Sequence, residues 1–467
     1  MASWLRENNW DVEVIDFTQN WTVEQLKALA RSRITKNTKF IGFGHMFSEW
    51  TPELEVFAAW VKTEYPDMVI ISGSGVAPDF KSSVIDYYIK GFGEYAILAL
   101  LKWLFSNGPR PVFDLEKVNG GRIINANSVY PAYPMKRSLV TYEERDFLRS
   151  DEWLTTETAR GCKFQCSFCN FPVLGVKGDY SRDSDDFELE LKTNFDKWGT
   201  TNYLLVDETF NDRPEKITKF ANVVEKLPFV PWFSGFIRAD LSIGRPHERE
   251  ELLRMNFLGQ HYGIETFNHT AGKYIGKGMH PDKIKQGLID LRKYYETHGR
   301  KMYRGYMTLI AGLPTETKEE LEQTKAWVLK NWTGQSFSAY ALVIPKPTAE
   351  QKSLMTKDFY DQGYQVLSDE EIARGLETHR INKHSLPVDS IYWKNEHMDV
   401  FEATAIEDGF WKERQNPAND FRIDIWKMAG FYKASTLEER LQIVEGSEFV
   451  FNDPDQEYIS KKLNYSK

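Results

Sequence analysis

Residues 160–170 read RGCKFQCSFCN, and this stretch holds all three cysteines of the 467-residue chain. Its C-x3-C-x2-C spacing places the thiols of Cys162, Cys166 and Cys169 within reach of one polynuclear iron site. An iron–sulfur cluster with four irons takes four ligands, so three cysteines leave one iron open to a small molecule. The stretch therefore predicts an iron–sulfur site with a vacant ligand position.

Two other uses of clustered cysteines fit this stretch less well. A structural zinc site takes four ligands, usually in two Cys or His pairs, and the histidine nearest in sequence is His247. A zinc site would therefore need a distant partner residue, and a disulfide would leave one thiol over. Zinc binding and a chance cluster of cysteines remain the alternatives at this point.

The same stretch, with Phe168 directly before its last cysteine, resembles the signature of the radical S-adenosylmethionine (radical SAM) superfamily. The resemblance implies that the three thiolates hold a [4Fe–4S] cluster and that SAM binds the fourth iron, with Phe168 beside the cofactor. It also implies reductive cleavage of SAM to a 5′-deoxyadenosyl radical, which abstracts hydrogen from the substrate. The implied partners are a small-molecule or peptide substrate and an electron donor such as flavodoxin or ferredoxin. The protein's part is to position cofactors that carry the difficult chemistry.

From residue 151 to about residue 350 the sequence alternates between strands and helices. Strands are predicted near 154–159, 203–206, 232–237, 260–264, 303–311 and 337–344, and helices near 184–198, 214–226, 247–256, 281–298 and 317–330. Six such units predict a partial (β/α)6 TIM-like barrel, with its chemistry on the loops at the carboxyl ends of the strands. The cysteine stretch follows the first strand, where such a barrel would place its site.

Residues 1–107 predict a separate α/β domain with a flavodoxin-like (Rossmann-type) order. Strands are expected at 12–17, 40–44 and 68–72, and helices at 2–9, 22–32, 52–63 and 94–105. Ligands of a doubly wound sheet bind beyond the carboxyl ends of its strands. Residues 108–150, rich in Pro, Asn, Gly and Arg, are expected to form a linker, and residues 351–467 a mainly helical C-terminal region.

Polar or glycine residues follow the predicted barrel strands, and the resemblance gives them roles in binding SAM. Asp207 and Glu208 would receive its amino group, although acidic residues before a helix also suit the helix dipole. Arg238 would pair with the SAM carboxylate, or else form a structural salt bridge. Glu265, in the GIET segment 263–266, would accept hydrogen bonds from the ribose. Gly312, which begins the GLPTET segment 312–317, would allow close approach of adenine. Residues 343–348 (VIPKPT) resemble the family's closing segment.

A second resemblance lies before the barrel. Residues 71–75 (ISGSG) and 86–94 (DYYIKGFGE) resemble a pattern of the cobalamin-binding radical SAM enzymes. It implies that cobalamin contacts Ser72, Gly73, Gly91, Gly93 and Glu94. The sequence departs from that pattern, because it begins directly in a predicted helix, without the buried strand that normally opens such a domain, and because it has no D-x-H-x-x-G motif. Cobalamin binding is therefore left open.

Composition narrows the class of protein. Hydrophobic residues make up 41% and charged residues 27% of the chain, as in soluble globular proteins. The net charge of −9 argues against a general nucleic-acid-binding surface. No apolar run approaches the roughly 18 residues that would span a membrane. The lack of disulfide-forming pairs and an oxygen-sensitive cluster both fit a reducing cytoplasm.

These observations favour a radical SAM enzyme of the cobalamin-binding type, which the resemblance links to methyl transfer onto an unactivated carbon. The first alternative is a cobalamin-free radical rearrangement, oxidation or cyclisation. The second is a non-catalytic iron–sulfur partner protein. Methylthiotransfer would need a second cluster, for which no cysteines remain. The sequence names no catalytic acid, base or radical relay residue.

Overall fold

The computed structural model describes residues 1–16, 21–44, 51–74, 82–115, 117–131, 135, 139–148, 153–169, 181–299, 302–344, 359–378, 390–413 and 454–465. The chain divides into two compact units. The first comprises Met1–Pro134, Leu139–Leu148 and Phe451–Lys467, and the second comprises Met135–Ser138 and Arg149–Val450. Each unit has its own parallel sheet, which confirms the α/β class.

The first unit has five strands in the order β1-β2-β3-β5-β4, of which only β4 runs antiparallel to its neighbour. The strands are β1 (Phe40–Phe43), β2 (Val69–Ser74), β3 (Tyr87–Lys90), β4 (Lys117–Val118) and β5 (Gly121–Asn125). The helices are α1 (Ala2–Glu7), α2 (Val23–Arg33), α3 (Thr51–Glu64), α4 (Glu94–Phe105) and α5 (Ala126–Val129). Helix α2 begins with the capping box that Thr22 and Gln25 allow.

The strand expected at 12–17 is wrong over its described part, since residues 12–16 form no strand. Among the described strands, β1 is hydrogen-bonded only to β2, so residues 12–16 do not add a strand to the edge of this sheet. Their backbone is bonded by side chains instead. Arg6 Nε donates to Val12 O at 3.1 Å, and Asp16 N donates to Tyr458 OH at 3.0 Å. Phe17 lies outside the described residues.

The expected linker at 108–150 contains two strands of the first sheet. Strand β5 pairs in parallel with β3, with Tyr87 opposite Arg122, and Ile123 and Ile124 are buried. The Gly and Asn residues that suggested a linker instead make the turn between β4 and β5, where Asn119 and Gly120 have positive φ angles of 47° and 91°. Because β5 is only five residues long and lies among turn residues, its sequence pattern gives little indication of a strand.

The helix Pro454–Asn464 also belongs to the first unit and not with the rest of the expected C-terminal region. Tyr458 and Ile459 are 5% and 2% exposed, and they pack in the apolar core that includes Trp21 and Leu26. Lys462 is fully buried, and its Nζ lies 3.4 Å from the Glu13 carboxylate. The helix Pro454–Asn464 therefore contributes to the apolar core of the first unit.

The second unit is built on six strands, all parallel, in the consecutive order β6 to β11. The strands are β6 (Trp153–Thr156), β7 (Asn202–Leu205), β8 (Trp232–Ile237), β9 (Phe257–Glu265), β10 (Arg304–Ala311) and β11 (Ser336–Ala341). The connecting helices are α6 (Ser184–Trp198), α7 (Pro214–Val224), α8 (Ala239–Gly244), α9 (Glu248–Arg254), α10 (His269–Tyr274), α11 (Pro281–His298) and α12 (Lys318–Asn331). This strand order is the one a partial barrel requires, while closure into a barrel stays a prediction.

After β11, β12 (Gln365–Val366) pairs with β13 (Trp393–Lys394). The helix Asp369–Thr378 lies between these two strands in the chain, and the helix Val400–Glu413 follows β13. The second of these helices lies along the edge strand β11, where Glu407 Oε2 accepts a hydrogen bond from Ala341 N at 2.9 Å. Phe410 packs edge-on against Phe337 of that strand. Within the described part of the chain, no helix has the length and apolarity needed to cross a membrane.

The two faces of the second sheet differ. On one face, side chains such as Tyr203, Leu205 and Phe233 are fully buried, with Phe187 of α6 packed on Phe233. Because side chains alternate along a strand, the other face carries Leu204 and the residue after β7, Val206, which is 40% exposed. This second face is called the open face below.

Candidate active site

The cysteine stretch begins three residues after β6 and is tied to the sheet by Asp207. Asp207 is 1% exposed, and its Oδ1 accepts hydrogen bonds from Thr158 N at 2.7 Å and Ala159 N at 3.3 Å. Its Oδ2 accepts from the Thr158 hydroxyl and from Lys216 Nζ, the latter at 3.3 Å. These protein groups occupy both carboxylate oxygens. Asp207 therefore positions the cysteine loop, and the geometry does not support its expected role towards the SAM amino group.

The three cysteines form no disulfide and are partly exposed. Cys169 N donates to Cys166 O at 3.0 Å, which makes the last two cysteines part of one tight turn. Among the described residues, no three Cys, His, Asp or Glu side chains converge closely enough to hold a single metal ion. A four-iron cluster spreads its thiolates over separate irons. The donor set of three reduced cysteines on one loop fits that group.

Glu208 differs from its neighbour Asp207. Its Oε2 is buried and has no hydrogen-bond partner among the described residues. Burial, with Asp207 and Glu157 nearby, raises the pKa of Glu208 to about 7. A buried carboxylate oxygen without a partner is costly. Glu208 is therefore the acidic residue here that is available to a cationic group such as an ammonium.

Arg238 follows β8 and reaches the cysteine loop. Its Nε and Nη2 donate to the two carboxylate oxygens of Asp240 at 3.0 and 2.7 Å, and its Nη1 lies 3.6 Å from Cys166 Sγ. The guanidinium carbon lies 4.0 Å from the ring centre of Phe164. The salt bridge that the sequence left open as an alternative is present. The pairing of Arg238 with a SAM carboxylate finds no support in this arrangement.

Glu265, the last residue of β9, has a positive φ of 69° and is 8% exposed. A Cβ at Gly263 would lie 2.5 Å from its Oε1, so the carboxylate folds back over the glycine. Burial raises the pKa of Glu265, although Lys277 Nζ lies 3.5 Å from its Oε1. Lys277 also donates to Gly263 O at 2.7 Å and was missed by sequence reasoning. The GIET segment thus forms a compact charged turn beside the cysteine loop, where Gly276 approaches Cys166.

Gly312 has a packing role. Its φ is +101°, and a Cβ there would lie 2.2 Å from the indole of Trp393. Its carbonyl oxygen accepts a hydrogen bond from Tyr364 OH at 2.7 Å. Protein therefore fills the space expected for adenine at the side-chain position. Phe168 packs against the apolar core that contains Trp393 and Tyr364. Of the closing segment 343–348, residues 345–348 lie outside the described residues.

Sequence reasoning also missed a polar cluster on the open face. His261 Nε2 lies 3.0 Å from Thr308 Oγ1, and Tyr306 OH lies 2.7 Å from Ser338 Oγ and 3.1 Å from Tyr340 OH. Burial lowers the pKa of His261 to about 3, so its imidazole is neutral. Tyr340 is 42% exposed. The available signal was the alternation of Ser336, Ser338 and Tyr340 in β11 and of Tyr306 and Thr308 in β10. This cluster can hydrogen-bond a polar ligand on the open face.

Residues 156–328, which carry all of these loops, match the model of the Radical SAM superfamily. This segment is similar to radical SAM domains. That family implies a [4Fe–4S] cluster and SAM, which agrees with three cysteines outside any disulfide and with the Glu208 oxygen that has no partner among the described residues.

Two curated proteins are similar to the chain at low identity. The cobalamin-dependent radical SAM methyltransferase TokK from Streptomyces tokunonensis is 22% identical over 322 residues, covering 62% of this chain and 44% of that protein. The 2-(S-pantetheinyl)-carbapenam-3-carboxylate methyltransferase from Streptantibioticus cattleyicolor is 21% identical over 299 residues, covering 56% of this chain and 40% of that protein. The chain thus spans less than half the length of the curated relatives it matches.

Two solved structures share the fold. The cobalamin-dependent S-adenosylmethionine radical enzyme OxsB, with aqua-cobalamin and S-adenosylmethionine bound, has a TM-score of 0.57 and 14% identity, covering 99% of this chain and 68% of that one. The radical SAM methyltransferase TsrM from Kitasatospora setae, with tryptophan and a SAM analogue bound, has a TM-score of 0.56 and 13% identity, covering 78% of this chain and 74% of that one.

Outside residues 156–328, five residues were expected to contact cobalamin, and the surroundings of Ser72 fit a bound ligand best. Ser72 lies near the carboxyl end of β2, is 1% exposed, and its Oγ has no partner among the described residues. Among the described residues, a Cβ at the next residue, Gly73, would come within 4 Å of Phe43 O alone, at 3.7 Å. Both features fit a ligand at the strand end. Gly75 and the loop that follows lie outside the described residues.

The other residues expected to contact cobalamin make contacts within the protein, which explain part of the need for these residue types. Gly91 has a φ of +86°, and a Cβ there would lie 2.6 Å from the side chain of Asn127. At Gly93 a Cβ would lie 3.1 Å from Ile89. Glu94 begins α4, is 7% exposed, and its carbonyl oxygen accepts a hydrogen bond from the Trp4 indole at 2.7 Å. Their contact with cobalamin stays a prediction.

Proposed function

We propose that this chain is a radical SAM enzyme in which Cys162, Cys166 and Cys169 ligate a [4Fe–4S] cluster. The bound cluster and SAM would together supply a 5′-deoxyadenosyl radical. The observation that carries the proposal is that three cysteines, none of them in a disulfide, lie on a loop which Asp207 ties to the carboxyl end of a parallel sheet. That is the end of a β/α sheet at which active sites form.

The described residues divide the remaining tasks. Asp207 holds the cysteine loop in place through Thr158, and Glu208 accepts a hydrogen bond from the ammonium of SAM. Glu265 is proposed to contact the ribose hydroxyls. On the open face, Tyr340 and the polar groups beside it hydrogen-bond a small polar substrate.

The test is product analysis of anaerobically reconstituted protein with SAM and dithionite. Wild type is expected to form 5′-deoxyadenosine, and Cys166→Ala is expected to form none while keeping its circular dichroism spectrum. A closed zinc site would behave differently, because structural zinc contributes folding energy and the variant would unfold. Full iron loading without 5′-deoxyadenosine would instead indicate a non-catalytic iron–sulfur protein.

Glu208→Gln isolates the binding step. It removes the charge but keeps the shape of the side chain, so the Kd for SAM should rise by about tenfold, the loss of one charge-assisted hydrogen bond of roughly 1.4 kcal/mol. Glu188→Gln is the matched control, since the described structure pairs Glu188 with Lys192 on the same helix. An unchanged Kd in Glu208→Gln would remove Glu208 from the site.

We further propose that the chain binds cobalamin and transfers a methyl group to an unactivated carbon. The proposal is supported by the cobalamin-dependent relatives and by the unpartnered Oγ of Ser72 beside Gly73. Cobalamin that copurifies or binds with a visible absorption change, and S-adenosylhomocysteine formed only in its presence, are the expected results. Formation of 5′-deoxyadenosine without S-adenosylhomocysteine would favour a cobalamin-free radical reaction. Ser72→Ala should weaken cobalamin binding without changing 5′-deoxyadenosine formation.

A further inference from the structure

Arg238 makes a contact that the assignment of cluster ligands leaves unexplained. Three different groups hold its guanidinium, which is buried with 7% of the residue exposed. Asp240 takes Nε and Nη2 in a two-pronged salt bridge, Phe164 covers one face, and Nη1 points at Cys166 Sγ from 3.6 Å. A side chain with this many restraints is oriented before any cofactor arrives.

The consequence for the cluster follows from electrostatics. Reduction adds one electron to a [4Fe–4S] cluster, and part of that charge resides on the cysteine sulfurs. A positive charge and a hydrogen bond at a sulfur stabilise the more negative, reduced form, and hydrogen bonds to sulfurs are among the factors that set the potential of such clusters. Burial strengthens the effect, because water screens the guanidinium poorly there.

We propose that Arg238 is a positioning residue of the cluster, which raises its reduction potential by donating to the ligand Cys166. This inference rests on the proposed function, since it requires the cluster. One electron enters from an external reductant, such as dithionite or a reduced flavodoxin-type donor, and no bond to Arg238 forms or breaks. Arg238 thereby makes the cluster easier to reduce before SAM is cleaved.

The competing role for Arg238 is capture of the SAM carboxylate. Asp240 already occupies the Nε and Nη2 positions that a second carboxylate would use in a two-pronged pairing. Phe164 covers one face of the plane at the same time. The two roles differ in a measurable way, because the effect on the potential is present without SAM and carboxylate capture is not.

The experiment is a redox titration of the reconstituted full-length protein without SAM, followed by electron paramagnetic resonance of the reduced cluster. In Arg238→Gln the ratio of reduced to oxidised cluster at a fixed potential should fall by about tenfold, a shift of about 59 mV to more negative values for one electron. Arg238→Lys keeps the charge but loses the two-pronged salt bridge, and it should give a smaller shift in the same direction.

Arg254→Gln is the matched control. Arg254 also forms a two-pronged pair with a carboxylate, with its Nε and Nη2 at 2.7 and 2.6 Å from Glu225, but no contact to a cysteine is among its partners in the described structure. The reduction potential of the cluster in Arg254→Gln should equal that of wild type. If Arg238→Gln fails to load iron, Arg238→Lys carries the test through the direction of its shift.

Three outcomes would overturn the proposal. The first is an unchanged potential in the loaded Arg238 variants with a higher Kd for SAM, which would assign Arg238 to the SAM carboxylate. The second is no change in either quantity, which would leave only the salt bridge. In both cases wild type still cleaves SAM, so the proposed function stands. The third is a wild type that assembles no four-iron cluster, which overturns the proposed function together with this inference.

Discussion

Asp207 and Glu208 are neighbours in sequence, yet their side chains have opposite surroundings. Protein donors occupy both oxygens of Asp207, whereas Glu208 has a buried oxygen without a partner. Their position just after β7 predicts that acidic groups lie near the cysteine loop. It does not predict which of them the protein itself uses, because that depends on Thr158 and Lys216 from two other elements.

Replacement of Asp207 tests its positioning role. In Asp207→Asn the buried Lys216 loses one of two carboxylate partners, since Asp212 Oδ1 also lies 2.8 Å from its Nζ, and the new amide group must face a backbone N–H. A buried polar group left without its hydrogen bond costs about 1–3 kcal/mol, so the free energy of unfolding in urea should fall by roughly 2 kcal/mol and less iron should be retained after reconstitution. Asp282→Asn is the control, since that side chain is 89% exposed. Unchanged stability and iron content in Asp207→Asn would contradict the assignment.

Glu316 provides a test of pH dependence away from the cysteines. It is fully buried beside the Thr266 hydroxyl, and burial raises its pKa to about 8. Between pH 4.5, the ordinary pKa of a glutamate side chain, and about pH 8, the folded protein then holds a proton on Glu316 that the unfolded chain has lost. The contribution of Glu316 to the free energy of unfolding is therefore full below pH 4.5 and declines as the pH rises to 8, by at most about 1.4 kcal/mol per pH unit.

Urea unfolding of wild type and Glu316→Gln at several pH values between 5 and 8 measures this contribution. Gln has no titrating proton, so wild type should lose stability relative to the variant as the pH rises. Parallel stability curves for the two proteins would show that Glu316 is ionised in the folded state over the whole range.

At the scale of elements, the turn after β10 shows how a motif can be recognised while its role is not. The GLPTET segment predicts a turn with a glycine that needs a positive φ, and Gly312 has one. The group that approaches this glycine is Trp393, which lies 81 positions along the chain in a segment whose aromatics the sequence could not place. The N-terminal capping boxes of α2 and α12, by contrast, were predictable because all of their groups lie within four residues.

Gly312→Ala should therefore destabilise the second unit for two reasons. The new methyl would overlap the Trp393 ring, and overpacking of this kind costs about 1–3 kcal/mol. The left-handed backbone costs roughly 1 kcal/mol more. Gly334→Ala separates the two effects, because Gly334 has a φ of +75° with open space around its Cβ position. Thermal unfolding should rank wild type, Gly334→Ala and Gly312→Ala in that order of decreasing Tm, and equal Tm values for the two variants would exclude the steric overlap.

At the scale of the whole molecule, the two units are not consecutive halves of the chain. The helix Pro454–Asn464 packs in the first unit, where Ile459 is 2% exposed. Ile459→Ala removes buried apolar volume and should cost about 2–5 kcal/mol there. Hydrogen exchange should then speed up in β1 and β2, more than 380 positions earlier, but not in β6 to β11. Ile372→Ala, in the core around Trp393, is the control and should give the reverse pattern. Faster exchange in both units for each variant would mean that they unfold together.

The sequence by itself determined the cysteine loop, the radical SAM resemblance and the succession of strands and helices in the second unit. These depend on the spacing of nearby residues and on periodic burial, which are local. Only the tertiary structure decided that protein groups hydrogen-bond both oxygens of Asp207 and that Arg238 contacts Cys166. It also decided that β5 and the helix Pro454–Asn464 belong to the first unit. Each of those outcomes depends on contacts between residues that are far apart in the chain, whose pairing no local pattern specifies.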